Sequence, residues 1–264
     1  MQFLASKVQL GEWKRRDAQP LPPRADWSEL RALYINLDAC TDRRRRIEEQ
    51  LTAFAIPYGR IRAVAEPYGP LGCLKSHVKA LRTAARSNNR WTLILEDDFQ
   101  FGMAITDARA MSRFLVENSG LAPVWLGAWE INGPEPQSHL EHHFVAHANG
   151  ACTAASCYFI RHDYIGVLLA TWQSALERLV TALMTGSQSK LRDPVVKIRD
   201  QAWYYDADCA WSPLQSRDGW LLFRPPLGYQ SREQHPSVIV PAIHDFEQSG
   251  FRSAAIRGLS PAID

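Results

Sequence analysis

Trp91-Thr92-Leu93-Ile94-Leu95-Glu96-Asp97-Asp98 is the stretch whose reading decides the fold. An apolar run of strand formers stops abruptly at three carboxylates. Continuous apolar runs of this length mark strands buried on both faces. Upstream, Leu33-Tyr34-Ile35-Asn36-Leu37 reads as another buried strand, and Arg60–Val64 as a third. Between them, a polar loop over Asp38–Asp42 leads into a helix over Arg43–Phe54, with Thr41 or Asp42 as its cap and Pro57 and Gly59 beyond its end. After a turn at Pro67-Tyr68-Gly69-Pro70, Gly72–Arg86 reads as a helix with Leu74, Val78 and Leu81 on one face. Strand, helix, strand, helix and strand in succession predict a largely parallel sheet with helices on its faces.

The second half is less regular. Val124–Ile131 and Ala154–Ile160 are candidate strands, and Trp220–Phe223 is a short late one. Asp163–Leu183 is the longest helical stretch, with Ile165, Leu168, Leu169, Trp172, Leu176 and Leu179 near helical spacing. Gly186–Asp193 reads as a polar loop, and the chain from Ser231 onward as polar and irregular. Residues 1–30, with Lys14-Arg15-Arg16 and Gln19-Pro20-Leu21-Pro22-Pro23, read as an arm that wraps over the body or is partly disordered. The division expected is an arm over 1–30, one domain over 31–245 and a tail over 246–264. Within the domain, a donor half runs to about 130 and an acceptor half follows.

Composition narrows the classes. The chain has 264 residues, 46% hydrophobic and 22% charged, with 30 Lys+Arg against 28 Asp+Glu and a formal net charge of +2. That is a globular composition large enough to fold around its own core. The charge balance makes no case for nucleic acid or an anionic membrane. No apolar run approaches the ~20 residues of a membrane span, and Met1–Leu4 is too short for a signal peptide. A cytoplasmic location is the expectation. Five scattered cysteines without a CxxC pair read as thiols, with a Cys152–Cys157 bridge as the alternative.

Three adjacent carboxylates repel one another unless a positive charge neutralises them. In open α/β sheets ligands gather beyond the carboxyl ends of the strands. Glu96-Asp97-Asp98 therefore reads as a site for Mg²⁺ or Mn²⁺, hard cations that take carboxylate oxygen, or as a solvated acidic turn. Strand alternation puts Glu96 and Asp98 on one side and Asp97 on the other. Arg43-Arg44-Arg45-Arg46 begins the first helix, where cations oppose the macrodipole. A diphosphate would compensate, and salt bridges to Glu48 and Glu49 are the other reading. Asp206 and Asp208, among Tyr204, Tyr205 and Trp211, are candidates for a general base or for a helix cap. His139, His142, His143 and His147 are dense but form no HExxH motif, and no GxGxxG, P-loop or GxSxG occurs. Trp125, Trp129, Trp203, Trp211 and Trp220 suit either sugar stacking or core packing.

Taken together, these segments resemble glycosyltransferase family 25, which includes lipopolysaccharide and collagen galactosyltransferases. The resemblance rests on Tyr34-Ile35-Asn36-Leu37-Asp38 with Asp42-Arg43-Arg44, on Gly69-Pro70-Leu71-Gly72-Cys73-Leu74-Lys75-Ser76-His77, and on Leu93-Ile94-Leu95-Glu96-Asp97-Asp98. Asp208-Cys209-Ala210-Trp211 and Pro226-Leu227-Gly228-Tyr229-Gln230 carry it more weakly. It spans about residues 33–239. It implies a GT-A type fold, a Rossmann-like mixed sheet flanked by helices in a single domain. It also implies metal-dependent, inverting transfer of a hexose, galactose or glucose, from a UDP-sugar donor to an acceptor hydroxyl on a glycan, lipopolysaccharide or protein.

By the same resemblance, Mn²⁺ (or Mg²⁺) would be held directly by Asp98, while Glu96 would bind it through water or contact the donor ribose. Tyr34, Asn36 and Leu37 would border the nucleoside, and Arg43 or Arg44 the phosphates. Ser76 and His77 would line the donor pocket, Asp97 would orient the loop, and Gln230 would contact the donor. Asp208, with Asp206 next, would be the base. The family's later "Q…S-D-I" element is here Gln230…Ser237-Val238-Ile239, without its acid. His235 is a substitute metal ligand or a surface-loop histidine. A catalytically inactive nucleotide- or glycan-binding module and a nucleotidyltransferase are the alternative functions.

Overall fold

Leu30–Asn36 (β1), Tyr58–Arg62 (β2) and Trp91–Glu96 (β3) are parallel strands, with β1 in the middle. They belong to a computed structural model that describes residues 27–102, 115–131, 145–148, 150, 152–184 and 207–231. Residues 1–26 of the arm, the tail, the 186–193 loop, Trp203, Asp206, His235 and Val238 lie outside the described residues, as do His139, His142 and His143; Trp27 and Leu30 are buried in the core.

Two helices make the crossovers between these strands. Thr41–Ala53 (α1) joins β1 to β2, and Gly69–Ala84 (α2) joins β2 to β3. The expected side-chain cap on α1 is absent. Cys40 is the N-cap, with no side-chain hydrogen bond, and Thr41 already belongs to the helix. The loop is instead held from outside, by the Asn36 amide donating to the Cys40 carbonyl at 3.0 Å. α2 begins three residues before its expected start, because Pro70 occupies the first turn, where a missing N–H costs nothing. Gly72 is there for space: a Cβ would lie 2.6 Å from the Val64 carbonyl oxygen.

β3 continues into Phe99–Phe101 (β4). Val124–Leu126 (β5), Glu130–Ile131 (β6), Val145–His147 (β7), Cys152–Thr153 (β8) and Cys157–Arg161 (β9) follow. Val124–Ile131 is thus two strands, not one. The Gly127 and Ala128 N–H groups both donate to the Cys157 carbonyl, a bulge that ends the pairing. A short 3₁₀ turn leads into Ile165–Met184 (α3); then come Ala207–Ala210 (α4), Ser212–Arg217 (α5), Leu221–Phe223 (β10) and Gly228–Gln230 (β11).

The main sheet is mixed, in the order β2-β1-β3-β9-β5-β10-β7. β9 runs antiparallel between β3 and β5, and β7 antiparallel beside β10, so the parallel expectation holds for the first three strands and again for the β5–β10 pair. β11 pairs antiparallel with β4 outside this sheet.

Alternation along each strand sends side chains to two cores. Leu33, Ile35, Ile94, Tyr158 and Ile160 pack under α2 and α3. Ala32, Tyr34, Leu93, Leu95 and Phe159 face Ile47 and Leu51 of α1. α3 buries Ile165, Leu168, Trp172, Ala175, Leu176 and Leu179, the stripe its periodicity predicts, while Leu169 is partly buried. Trp125, Trp211 and Trp220 are fully buried, so core packing explains them. The Trp129 indole donates to the Phe223 carbonyl at 2.7 Å. His147 is exposed. All five cysteines are thiols.

Candidate active site

The carboxyl ends of β1, β2 and β3 and the first turns of α1 and α2 surround an open cleft. Its lining includes Asn36, Leu37, Arg43, Ser76, His77, Glu96, Asp97, Asp98 and Gln230, nine of the residues singled out from sequence. A βαβαβ unit leaves its strand ends uncovered at this edge, which is why chemistry concentrates there.

The three carboxylates take different partners. Asp97 turns toward β1 and α1: its Oδ2 accepts from the Asn36 amide at 2.7 Å, and its Oδ1 from Arg43 at 3.2 Å. Glu96 and Asp98 share Gln230 of β11, whose Nε2 lies 2.8 Å from Glu96 Oε2 and 3.5 Å from Asp98 Oδ1. Shared contact with one amide agrees with their expected placement on one side. Asp97 also lines the cleft rather than leaving it. Glu96 Oε1 lies 3.1 Å from His77 Nε2 and 3.8 Å from Cys73 Sγ. The ligand atoms of Cys73, His77 and Glu96 all lie within 4.8 Å of one another.

Arg43 is the buried member of the arginine run. It contacts Asp97 and, at 3.7 Å, Asp98. Its compensating anion thus comes from the protein itself. Arg44 and Arg45 pair outward with Glu48 and Glu49 at 3.1 and 3.3 Å. Only one of the four arginines thus lines the cleft, as helical geometry requires of four consecutive residues.

One guanidinium does not balance this cluster. Burial, then the Glu96 charge, pushes Asp98 up to about 7, against the opposing pull of Arg43. Burial also raises Asp97, with Asn36 and Arg43 opposing. Burial disfavours the Glu96 carboxylate too, but hydrogen bonds from His77, Gln230 and Cys73 leave it below the usual range. Under-compensated carboxylate oxygens are the donors a hard divalent cation takes. The residues present therefore fit such an ion, with Asp98 and Glu96 as the groups that would hold it.

Other predicted residues stand differently. Tyr34 is fully buried on the α1 face and donates its hydroxyl to Glu48. Ser76 donates to the Gly72 carbonyl at 2.6 Å and accepts the Val64 N–H at 2.8 Å, so its hydroxyl braces the loop beside the cleft. His77 is buried, its Nδ1 3.3 Å from the Tyr158 hydroxyl and its ring edge-on to Trp172. Asp208 is not among the cleft-lining residues. It lies in the first turn of α4, where its Oδ2 accepts the Ala154 N–H at 3.1 Å. Ala154 has a φ of 77°, unusual for a residue with a side chain.

Sequence reasoning gave no roles to Cys73, Glu66 or Arg60. Cys73 lies one helical turn before His77, a spacing that was legible. Glu66 pairs with the buried Lys75 at 2.7 Å. Arg60 donates to the Asn36 Oδ1 at 2.9 Å and to Asp38 at 2.7 Å. It thereby fixes the Asn36 amide that holds Asp97.

No family model matches the chain, and no curated protein matches it. Among solved structures, it is similar to the crystal structure of a glycosyltransferase involved in the glycosylation of the major capsid of PBCV-1. The sequences are 11% identical, the match covers 83% of this chain and 98% of that chain, and the TM-score is 0.39. Among the described residues, no helix is long and apolar enough to cross a membrane.

Proposed function

We propose that this protein is a metal-dependent, inverting glycosyltransferase that moves a hexose, galactose or glucose, from a UDP-sugar to an acceptor hydroxyl. The observation that carries the reading is the under-compensated carboxylate cluster on the floor of a cleft at the ends of three parallel strands. The motif resemblance to glycosyltransferase family 25 supports it and names the donor class.

Asp98 and Glu96 would hold Mn²⁺ or Mg²⁺, and the ion, when bound, would supply charge stabilisation to the departing diphosphate. Asp97 keeps Arg43 at the cleft wall, where its cationic group favours a phosphate nearby. Asn36 and Leu37 border the entrance from β1, on the side proposed for the nucleoside. Gln230 ties Glu96 to Asp98 and sets the spacing between them. Asp208, or Asp206, is the proposed base that takes the acceptor proton.

The test is release of UDP from UDP-galactose and UDP-glucose with Mn²⁺, across a panel of hydroxyl acceptors. Turnover that disappears in Asp98→Ala supports the proposal. Absence of donor turnover by the intact, folded chain refutes it. One observation favours a second reading, a nucleotide- or glycan-binding module without catalysis: Asp208 lies off the cleft lining and is bonded to the backbone. Metal-dependent binding without turnover would select that reading. Release of pyrophosphate would instead indicate nucleotidyl transfer.

A further inference from the structure

Cys73 and His77 are one turn apart on α2, and both side chains meet Glu96 at the end of β3. We propose that these three side chains form a binding site for a thiophilic divalent cation of the zinc type, which shares Glu96 with the hard-cation site proposed on Asp98. The proposal does not depend on sugar transfer.

Distances carry it first. Ordinary Zn–S, Zn–N and Zn–O bond lengths in a tetrahedron separate an N and an O ligand by about 3.4 Å, and an S and an O ligand by about 3.6 Å. Here His77 Nε2 and Glu96 Oε1 are 3.1 Å apart, and Cys73 Sγ and Glu96 Oε1 are 3.8 Å apart. These two separations lie within a few tenths of an ångström of those a tetrahedral ion sets, and all three ligand atoms lie within 4.8 Å of one another.

The outer contacts carry it second. A metal-bound imidazole needs its other nitrogen held, which fixes the tautomer and the ring plane. His77 Nδ1 faces the buried Tyr158 hydroxyl at 3.3 Å, and Trp172 packs edge-on against the ring. In the metal-free protein Nε2–H faces Glu96; with Nδ1 donating to Tyr158 instead, Nε2 would offer its lone pair to the ion. The second oxygen of Glu96 is fixed by Gln230 at 2.8 Å. Such outer partners are what a ligand triad requires and what an incidental cluster lacks.

Donor chemistry selects the ion. A thiolate, an imidazole and a carboxylate suit Zn²⁺ or Co²⁺, while Mg²⁺ and Ca²⁺ disfavour sulfur. All three side chains line the cleft. Three protein ligands beside an open cleft follow the pattern of zinc sites that keep a coordination position for water or a ligand. Because Glu96 and Gln230 also adjoin Asp98, occupation of the two sites is coupled.

The full chain, stripped of metal with a chelator, is titrated with Co²⁺ while thiolate-to-cobalt charge-transfer absorption is followed. Saturable absorption that Zn²⁺ displaces is expected in the wild type, in Cys209→Ser and in Asp98→Asn. Cys73→Ser loses it, with folding confirmed by circular dichroism. Tyr158→Phe retains the absorption but weakens binding by about 10–100-fold. No charge-transfer absorption in the wild type, or the same absorption in folded Cys73→Ser, overturns the proposal.

Discussion

Replacing Asp98 by Asn should make the metal-free protein more stable at alkaline pH. Asp98 is only 14% exposed, and its pKa moves from the usual 3.8 to about 7. A carboxyl whose folded-state pKa is raised binds its proton more tightly folded than unfolded. Its contribution is therefore fully present below about pH 4 and is lost as pH rises through about 7. The full shift corresponds to about 4 kcal/mol, of which more than half falls between about pH 5 and about pH 8. Asp97, also raised, adds in the same direction. Carboxyls with lowered values, such as Glu48 and Asp218, act below about pH 4.5 and leave this window alone.

Asn preserves the shape and an acceptor oxygen for Gln230, and Arg43 retains Asp97 at 3.2 Å. Urea unfolding of both proteins at the two pH values, with chelator present, isolates the Asp98 charge. The variant should exceed the wild type by several kcal/mol at the higher pH and by clearly less at the lower one. A variant less stable than wild type at the higher pH, or a gap independent of pH, would refute the electrostatic reasoning.

Gly228→Ala places a Cβ 2.0 Å from the Gln100 carbonyl oxygen and 2.6 Å from the Phe99 ring. Urea unfolding should show a loss of about 1–3 kcal/mol, and displacement of β11 should move Gln230 away from Glu96. Ser76→Ala leaves the Val64 N–H without its acceptor and should cost about 1–3 kcal/mol in the same assay. Asp208→Asn keeps an acceptor for the Ala154 N–H, so its melting temperature should change less than that of Asp208→Ala. If Asp208 is the base, both variants lower kcat by about 10²–10⁴-fold, which steady-state kinetics would reveal.

Local patterns made the first half of the chain legible. Apolar runs bounded by turn residues placed β1 and β3, helical stripes placed α2 and α3, and β2 lies two residues earlier than its expected Arg60–Val64. The βαβ rule then put Glu96-Asp97-Asp98 at the strand ends, where the cleft lies. What sequence could not supply was long-range pairing. The antiparallel insertion of β9 beside β3 depends on contacts some 65 residues apart in sequence. The family resemblance set Tyr34 beside the nucleoside, whereas its side chain is buried in the core under α1, with its hydroxyl on Glu48. Cys73 and His77 were visible as neighbours on a helix, but their meeting with Glu96 required the α2–β3 crossover to be built. The Asp208 bond to Ala154 joins residues 54 positions apart, with no local signature at either end.

The central claim is a cation-dependent donor site on Asp98. Calorimetric titration of the full chain with UDP, in Mn²⁺ and then in chelator, tests it most directly, with Asp98→Asn in parallel. The account predicts saturable binding in Mn²⁺, at least about tenfold weaker in chelator, a difference of about 1.4 kcal/mol, and no effect of Mn²⁺ in the variant. Equal affinity with and without the ion, or no binding by the folded wild type in either condition, would contradict it.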